Sequence, residues 1–214
     1  MHKIAVLFDL DGTILDTIED LKDSLNHVLD KYGFPGHSTE EVKRFVGNGM
    51  HKLVERAVPE ETSRDLIEEI HSRFISYYKD NCRIKTKPYP GIMELVRTLK
   101  ENGIKTAVIS NKSDAAVREL TTHMFNGCFD QVLGASDGVK LKPDRAMIDI
   151  VLGKLSVNSE DAIYVGDSEV DIETARNAHM DCVSVTWGFR SRAQLIANGA
   201  EMLADEPAQI LRYI

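Results

Sequence analysis

Short, uninterrupted runs of apolar residues alternate with helical patterns along most of the chain. The first run, Ile4 to Phe8, predicts a buried strand because it is brief, entirely apolar and followed by an Asp/Gly turn. Similar runs predict further strands at residues 106–109, 131–133, 162–165 and 182–185. Helical patterns lie between these runs, near residues 95–100, 115–124, 145–155 and 172–178. This alternation predicts an α/β fold, in which helices cover both faces of a parallel sheet.

Residues 17–80 differ from the rest of the chain, because they carry several helical patterns and no convincing strand. Leu21, Leu25 and Leu29, for example, recur at a spacing that places them on one face of a helix. A Pro-Tyr-Pro-Gly sequence at residues 88–91 then ends the helical region, and the strand-like runs resume. We therefore predict that an all-helical domain is inserted after the first strand.

The predicted architecture has two domains. A doubly wound parallel sheet, with a Rossmann-like core, is expected from residues 1–15 together with residues 86–214. The inserted helical domain is expected from residues 16–85. A chain of 214 residues is long enough for one sizeable core and a second, smaller module.

Composition narrows the range of partners. The formal net charge is −8, and a negative field repels nucleic acid and anionic membranes, so we expect neither as a partner. The three cysteines are scattered and form no CxxC pair, which argues against a disulfide framework and favours a cytoplasmic protein. For the oligomeric state, we expect either a monomer or a homodimer.

Polar residues follow the predicted strands at the points where substrate sites form in parallel sheets, the carboxyl ends. Four segments provide them: Asp9-Leu10-Asp11-Gly12-Thr13, Ser110-Asn111-Lys112, the loop with Lys142, and Gly166-Asp167-Ser168 with Asp171. Clustered carboxylates repel one another and stay ionised together only around a cation. Hard oxygen ligands with room for water and phosphate suit Mg²⁺.

Each segment also has a simpler interpretation. The Asp-rich turn after the first strand could be a tight turn, and Ser110-Asn111 could cap the next helix. Lys142 alone could be a solvated surface lysine. The combination of all four segments, in order and after strand-like runs, favours a functional site.

These segments resemble the four motifs of the haloacid dehalogenase-like hydrolase superfamily. Phe8 to Asp16 resembles the first motif, Ile109-Ser110-Asn111 the second, Lys142-Pro143 the third, and Val165 to Ser168 with Asp171 the fourth. The helical insertion resembles the cap that closes over the site in this family. Together the motifs match over essentially the whole chain.

The resemblance implies roles for the matching residues. Asp9 would be the nucleophile, and Asp11 would protonate the leaving group and then activate water. Ser110 and Lys142 would hold the phosphoryl oxygens. Mg²⁺ would bind the Asp9 carboxylate, the Asp11 main-chain carbonyl and Asp167. Supporting roles are assigned to Asp171, Gly166 and Ser168, and substrate-binding roles to Thr13 and Asn111.

The second aspartate, Asp11, favours phosphoryl transfer over carbon–halogen cleavage, because a departing halide needs no proton. A segment of the insertion resembles the cap loop of the phosphoglycolate phosphatase-like group: Arg44-Phe45-Val46-Gly47-Asn48-Gly49. This resemblance implies 2-phosphoglycolate as the substrate. It also makes four residues of the loop candidate substrate contacts: Arg44, Gly47, Asn48 and Gly49. The loop could also be a plain turn between helices.

Several functional alternatives stay open. Pyrophosphate or another small phosphomonoester could be the substrate, and a sugar-phosphate phosphatase or mutase uses the same aspartate pair. A non-catalytic binding protein on this fold is a further alternative, although the nucleophile, acid, lysine and metal-binding aspartate are all present.

Overall fold

A computed structural model describes residues 3–214 of the chain. In chain order these residues form β1 (Ala5–Phe8), β2 (Leu15–Asp16), α1 (Ile18–Asp30), α2 (Thr39–Phe45), α3 (Met50–Ala57), α4 (Arg64–Asn81), β3 (Lys87–Pro88), α5 (Ile92–Glu101), β4 (Lys105–Ser113), α6 (Asp114–Phe125), β5 (Gln131–Ala135), α7 (Ala146–Leu155), β6 (Ala162–Gly166), α8 (Glu169–Asn177), β7 (Asp181–Val185), α9 (Arg192–Ala197) and β8 (Met202–Ala204). Short 3₁₀ helices lie at Ser159–Asp161 and Pro207–Tyr213.

The chain divides into two compact units. Unit 1 contains the residues up to Leu15 and those from Pro88 onwards, and unit 2 contains Asp16–Lys87. The return into unit 1 therefore comes two residues later than the boundary expected from sequence, which lies between residues 85 and 86. β2 and β3 pair with each other in a two-stranded sheet at the points where the chain leaves and re-enters unit 1.

A six-stranded sheet forms the centre of unit 1, in the order β5-β4-β1-β6-β7-β8. Every neighbouring pair is parallel, and β1 lies between β4 and β6. The predicted α/β class and doubly wound sheet are confirmed. β8 was not predicted, because Met202–Ala204 is only three residues long and has no strand-like pattern around it.

The core of unit 1 lies on both faces of this sheet. All four residues of β1 are buried, as expected for a central strand covered on both sides. On one face Leu7, Ile109 and Tyr164 join a cluster with apolar residues of α7 and α8. Because successive side chains of a strand point to opposite faces, the buried Val6 and Phe8 fill the other face.

Unit 2 contains α1 to α4, and its end residues Asp16 and Lys87 belong to the short strands β2 and β3. This content is consistent with the expected helical insertion. Leu21, Leu25 and Leu29 are fully buried, in agreement with their helical spacing. The end of the unit is tied to α1 by Asp20, whose carboxylate accepts hydrogen bonds from the backbone amides of Lys85 and Thr86. Within residues 3–214, every helix is too short or too polar to cross a membrane.

Candidate active site

The site of unit 1 forms where β1 and β6 end. The sheet grows from β1 towards β5 on one side and from β6 towards β8 on the other, so β1 and β6 flank the switch point at which ligands bind in such folds. Asp9 directly follows β1, and Asp167 directly follows β6. Ser110 and Asn111 lie in the last part of β4, which is four residues longer at its end than the predicted strand.

Lys142 is the central cation of the site. Its ammonium group donates to Asp9 Oδ1 at 2.8 Å, to Asp171 Oδ1 at 2.8 Å and to the Tyr164 hydroxyl at 3.0 Å. The side chain is almost completely buried, so these contacts replace the water that a lysine normally keeps. The simpler interpretation of Lys142 as a solvated surface residue is therefore wrong.

Asn111 places the Lys142 backbone. Its side-chain amide donates to the Lys142 carbonyl at 2.9 Å, and its side-chain oxygen accepts from the Lys142 amide at 2.8 Å. Both ends of the Asn111 amide thus contact the loop, a structural role across 31 residues that was not predicted from sequence. Contact of Asn111 with substrate stays a prediction.

Asp171 is held by the turn between β6 and α8. Its second oxygen, Oδ2, accepts from the Ser168 hydroxyl at 2.6 Å and from the backbone amides of Ser168 and Asp167 at 3.1 and 3.2 Å. At Gly166 any side chain would collide with Asp171, so this close approach requires glycine. These contacts agree with supporting roles for Asp171, Ser168 and Gly166.

Asp167 is fixed by two different segments of unit 1. The amide of Phe189 donates to Asp167 Oδ2 at 2.6 Å, and the Thr13 hydroxyl donates to Asp167 Oδ1 at 3.3 Å. Thr13 has no exposed surface. Its hydroxyl group orients a carboxylate, and contact of Thr13 with substrate stays a prediction. The Phe189 contact was missed, because a backbone donor leaves no signal in residue type.

Ser110 and Asp11 both contact Lys112, a residue for which the sequence predicted no role. The Lys112 backbone amide donates to Ser110 Oγ at 3.2 Å, and its ammonium group donates to both carboxylate oxygens of Asp11. The sequence feature that could have indicated a role for Lys112 is its position directly after Ser110-Asn111.

The donor set of the cluster fits a hard divalent cation. Asp9, Asp167 and Asp171 each offer a carboxylate oxygen, and these atoms lie within 4.8 Å of one another. All three residues are buried. When ionised they carry three negative charges, against the one positive charge of the Lys142 ammonium that pairs with Asp9 and Asp171. An all-oxygen set with excess negative charge is typical of Mg²⁺ sites. The Asp171 carboxylate accepts five hydrogen bonds, whereas that of Asp167 accepts two and that of Asp9 accepts one, which makes Asp9 and Asp167 the better placed ligands.

Burial and charge repulsion raise the pKa values of Asp9 and Asp167. Burial, together with the nearby Asp171, raises the pKa of Asp9 to about 7 even though Lys142 acts in the opposite direction. Burial likewise raises the pKa of Asp167 well above its usual range, with repulsion from Asp171 and Asp9 added. Burial alone would lower the pKa of the Lys142 ammonium, but the carboxylates of Asp171 and Asp9 outweigh it and raise this pKa.

The unfolding free energy of the metal-free protein is expected to fall as the pH rises between roughly 4 and 7. Asp9 has a pKa of about 7 in the folded protein against an ordinary value of 3.8, so the folded state binds more protons in this range and is favoured at its acidic end. Over this pH range, the ionisation of Asp9 alone should lower the free energy of unfolding by an amount on the order of 4 kcal/mol.

Urea unfolding in chelator, at pH values on either side of this range, measures the effect, with Asp9→Asn as control. The slope of the control should be shallower but not absent, because the raised pKa of Asp167 still contributes to it. Mg²⁺ should restore stability at the alkaline end because it binds ionised carboxylates. Equal slopes for the two proteins would contradict the assignment.

The remaining predicted residues lie in unit 2. Arg44 is exposed near the end of α2, and Gly47 and Gly49 adopt positive φ angles of 127° and 88°. The Asn48 side-chain oxygen accepts from Arg56 at 2.8 Å, which holds the loop before α3. The loop is therefore an ordered segment, and contact of these four residues with substrate stays a prediction.

Comparison with known proteins agrees with this fold and site. The family model described as haloacid dehalogenase-like hydrolase matches residues 6–185. Phosphoglycolate phosphatase 1 of Pseudomonas aeruginosa is 31% identical over 96% of this chain and 78% of its own length. A phosphoglycolate phosphatase of Mesorhizobium japonicum is 34% identical over 90% of this chain and 86% of its own length.

A solved structure gives the same result. A protein of Lactobacillus delbrueckii subsp. bulgaricus, for which phosphoglycolate phosphatase activity has been suggested, superposes with a TM-score of 0.97. It is 36% identical, and the match covers 100% of this chain and 99% of that one.

The fold and these matches together define a hydrolase with a doubly wound α/β sheet. The chain belongs to the haloacid dehalogenase-like hydrolase family. Within the family it is similar to phosphoglycolate phosphatases, and the prediction of a phosphatase of this kind is confirmed at the level of enzyme class.

Proposed function

We propose that this protein is a Mg²⁺-dependent phosphatase that hydrolyses small phosphate monoesters through a phospho-aspartate on Asp9, with 2-phosphoglycolate as the preferred substrate. One observation carries the proposal: Asp9, Lys142 and Asp167 converge in a buried cluster at the carboxyl ends of two adjacent central strands. Burying several carboxylates with one lysine costs folding free energy, and a bound cation would offset this cost by neutralising their excess negative charge.

In the first step, a carboxylate oxygen of Asp9 attacks phosphorus as the bond between phosphorus and the ester oxygen breaks. The carboxyl group of Asp11 gives its proton to the departing ester oxygen. In the second step, water attacks the phosphorus of the phospho-aspartate as the bond between phosphorus and the Asp9 oxygen breaks, and Asp11 accepts a proton from that water. Inorganic phosphate then leaves, and the Asp9 carboxylate is restored.

The neighbouring groups support both steps. Lys142 and Ser110 hold phosphoryl oxygens, and Asp171 keeps the Lys142 ammonium in place. Mg²⁺, held by the Asp9 and Asp167 carboxylates and by the Asp11 main-chain carbonyl, would supply the positive charge that allows a carboxylate to approach an anionic ester.

A small, anionic substrate is supported by two observations. Several relatives at about 30% identity carry the name phosphoglycolate phosphatase, and the 44–49 loop of unit 2 combines an exposed arginine with two close glycines. We propose that unit 2 is a cap that closes over the site, and that the loop provides contacts to the substrate carboxylate.

The proposed partner is a metabolite rather than a nucleic acid, in keeping with the net charge of −8. We also propose a cytoplasmic location, because no disulfide joins the three cysteines, all of which lie within the described part of the chain.

Phosphate release from a panel of phosphate compounds tests the proposal. The panel contains 2-phosphoglycolate, pyrophosphate, a hexose phosphate and p-nitrophenyl phosphate, each with Mg²⁺ and with chelator. We expect Mg²⁺-dependent turnover that is fastest on 2-phosphoglycolate. Faster turnover of another ester would overturn the substrate assignment alone. Failure to release phosphate from any compound, or transfer to a sugar-phosphate acceptor in preference to water, would overturn the phosphatase assignment.

A further inference from the structure

Lys112 is a buried lysine that contacts the second aspartate of the first motif. Its Nζ lies 2.6 Å from Asp11 Oδ1 and 2.8 Å from Asp11 Oδ2. The Lys112 side chain is 1% exposed and that of Asp11 is 10% exposed. A single ammonium group therefore bridges both oxygens of a carboxylate that the proposed mechanism uses twice.

The strand register explains how the two residues meet. β1 and β4 are parallel neighbours, and Phe8 pairs with Val108. Asp11 follows Phe8 by three residues and Lys112 follows Val108 by four, so both lie just beyond the last paired residues of adjacent strands. An irregularity of β4 between Ile109 and Ser113 accompanies this placement.

Lys112 also holds Ser110 through its backbone. The Lys112 amide donates to Ser110 Oγ at 3.2 Å, so one residue contacts two groups that are proposed to act on the phosphoryl group. Lysine–aspartate pairs on the surface of unit 1 are different. The Lys140–Asp144 pair, for example, is separated by 3.4 Å, and its lysine side chain is 79% exposed. Such a surface pair contributes little and does not fix a side chain.

A buried pair of this geometry restricts the Asp11 side chain to one orientation. Burying an ammonium group is unfavourable unless its contacts compensate, and here the compensation comes from both carboxylate oxygens. Without the ammonium, the carboxyl group could rotate, and repulsion from the neighbouring acidic cluster would favour its moving away from Asp9.

We propose that Lys112 is a positioning residue, which holds the Asp11 carboxyl group in the orientation needed for proton transfer to the leaving oxygen. The inference rests on the proposed function, in which Asp11 is the general acid. The proton moves from Asp11 to the ester oxygen as the phosphorus–oxygen bond breaks and the Asp9–phosphorus bond forms. Lys112 exchanges no proton; its ammonium stabilises the negative charge that develops on Asp11.

Two substrates with the same phosphoryl group but different leaving groups test this role. The alkoxide of 2-phosphoglycolate needs a proton when it departs, whereas the aryl oxide of p-nitrophenyl phosphate leaves readily without one. The ratio kcat/KM reports only the steps up to this departure, so it isolates the acid role of Asp11 from its later role with water.

For Lys112→Met we expect kcat/KM on 2-phosphoglycolate to fall by about 10²-fold, within the range of general acid catalysis, and on p-nitrophenyl phosphate by less than about 3-fold. Retained turnover of the aryl ester shows that the variant is folded. The matched control, Lys154→Met, makes the same change at an exposed lysine of α7 and should alter neither value.

Asp11→Asn separates this inference from the proposed function. This variant should show the same selective loss, and adding Lys112→Met to it should change kcat/KM by less than about 3-fold, because the two residues act as a unit. Selective loss in Asp11→Asn, with equal losses on both esters or no loss in Lys112→Met, would overturn the role of Lys112 alone. Equal losses on both esters in Asp11→Asn would overturn the acid assignment, and the inference with it.

Discussion

Asp9→Asn is expected to lower phosphate release by more than about 10⁴-fold, the scale on which loss of a nucleophile acts. A carboxamide cannot form the phospho-aspartate, although its size matches that of the carboxyl group. Intact-mass measurement after rapid quenching should show the added phosphoryl group in the natural protein and not in the variant.

The loss should not come from unfolding. At about pH 8 the metal-free variant should be at least as stable as the natural protein, because it avoids ionising a buried group whose pKa is raised to about 7. Asp149→Asn makes the same chemical change at a half-exposed residue of α7 that pairs with Arg145, and it should leave turnover unchanged. Substantial turnover by Asp9→Asn would exclude Asp9 as the nucleophile.

Lys142→Met is expected to affect both stability and activity. The substitution leaves the buried carboxylates of Asp9 and Asp171 without their common cation, and breaking a buried ion pair in this way costs about 3–5 kcal/mol. Activity should fall to the limit of detection, because the phosphoryl oxygens lose their lysine contact as well.

Urea unfolding in chelator measures the first effect. The destabilisation should shrink as the pH is lowered, because protonation of Asp9 removes a negative charge that Lys142 compensates. Lys154→Met should change stability by less than about 0.5 kcal/mol, as is usual for an exposed side chain. A Lys142→Met variant as stable as this control would show that the ion pairs contribute nothing to the folded state.

The central part of the fold was predictable from local patterns. The apolar runs that became β1 and β6 are continuous, and the polar residues directly after them had to lie at one edge of a parallel sheet. The positions of Asp9 and Asp167 in the fold therefore followed from sequence.

The contacts of several site residues were not predictable in the same way. Asp11 and Lys112 are separated by 101 residues, and their pairing depends on the register of β4 against β1 and on an irregularity in β4. Thr13 and Asn111 have side chains suited to binding substrate, but both are turned towards protein groups. Residue type indicates what a side chain can bind, whereas tertiary packing decides what it does bind.

The insertion of unit 2 after β1 has a consequence for the order of events during synthesis. β1 is made first, but its two partner strands end only at Ser113 and Gly166. Unit 2, by contrast, is one continuous segment, and all its residues have been made once Lys87 has been added. During synthesis, the entirely apolar β1 therefore stays unpaired while unit 2 already has all the residues that it needs to form its internal contacts. Aggregation of nascent chains should be most frequent after Lys87 has been added and before Gly166 has been added, because β1 then lacks at least one of its two partner strands.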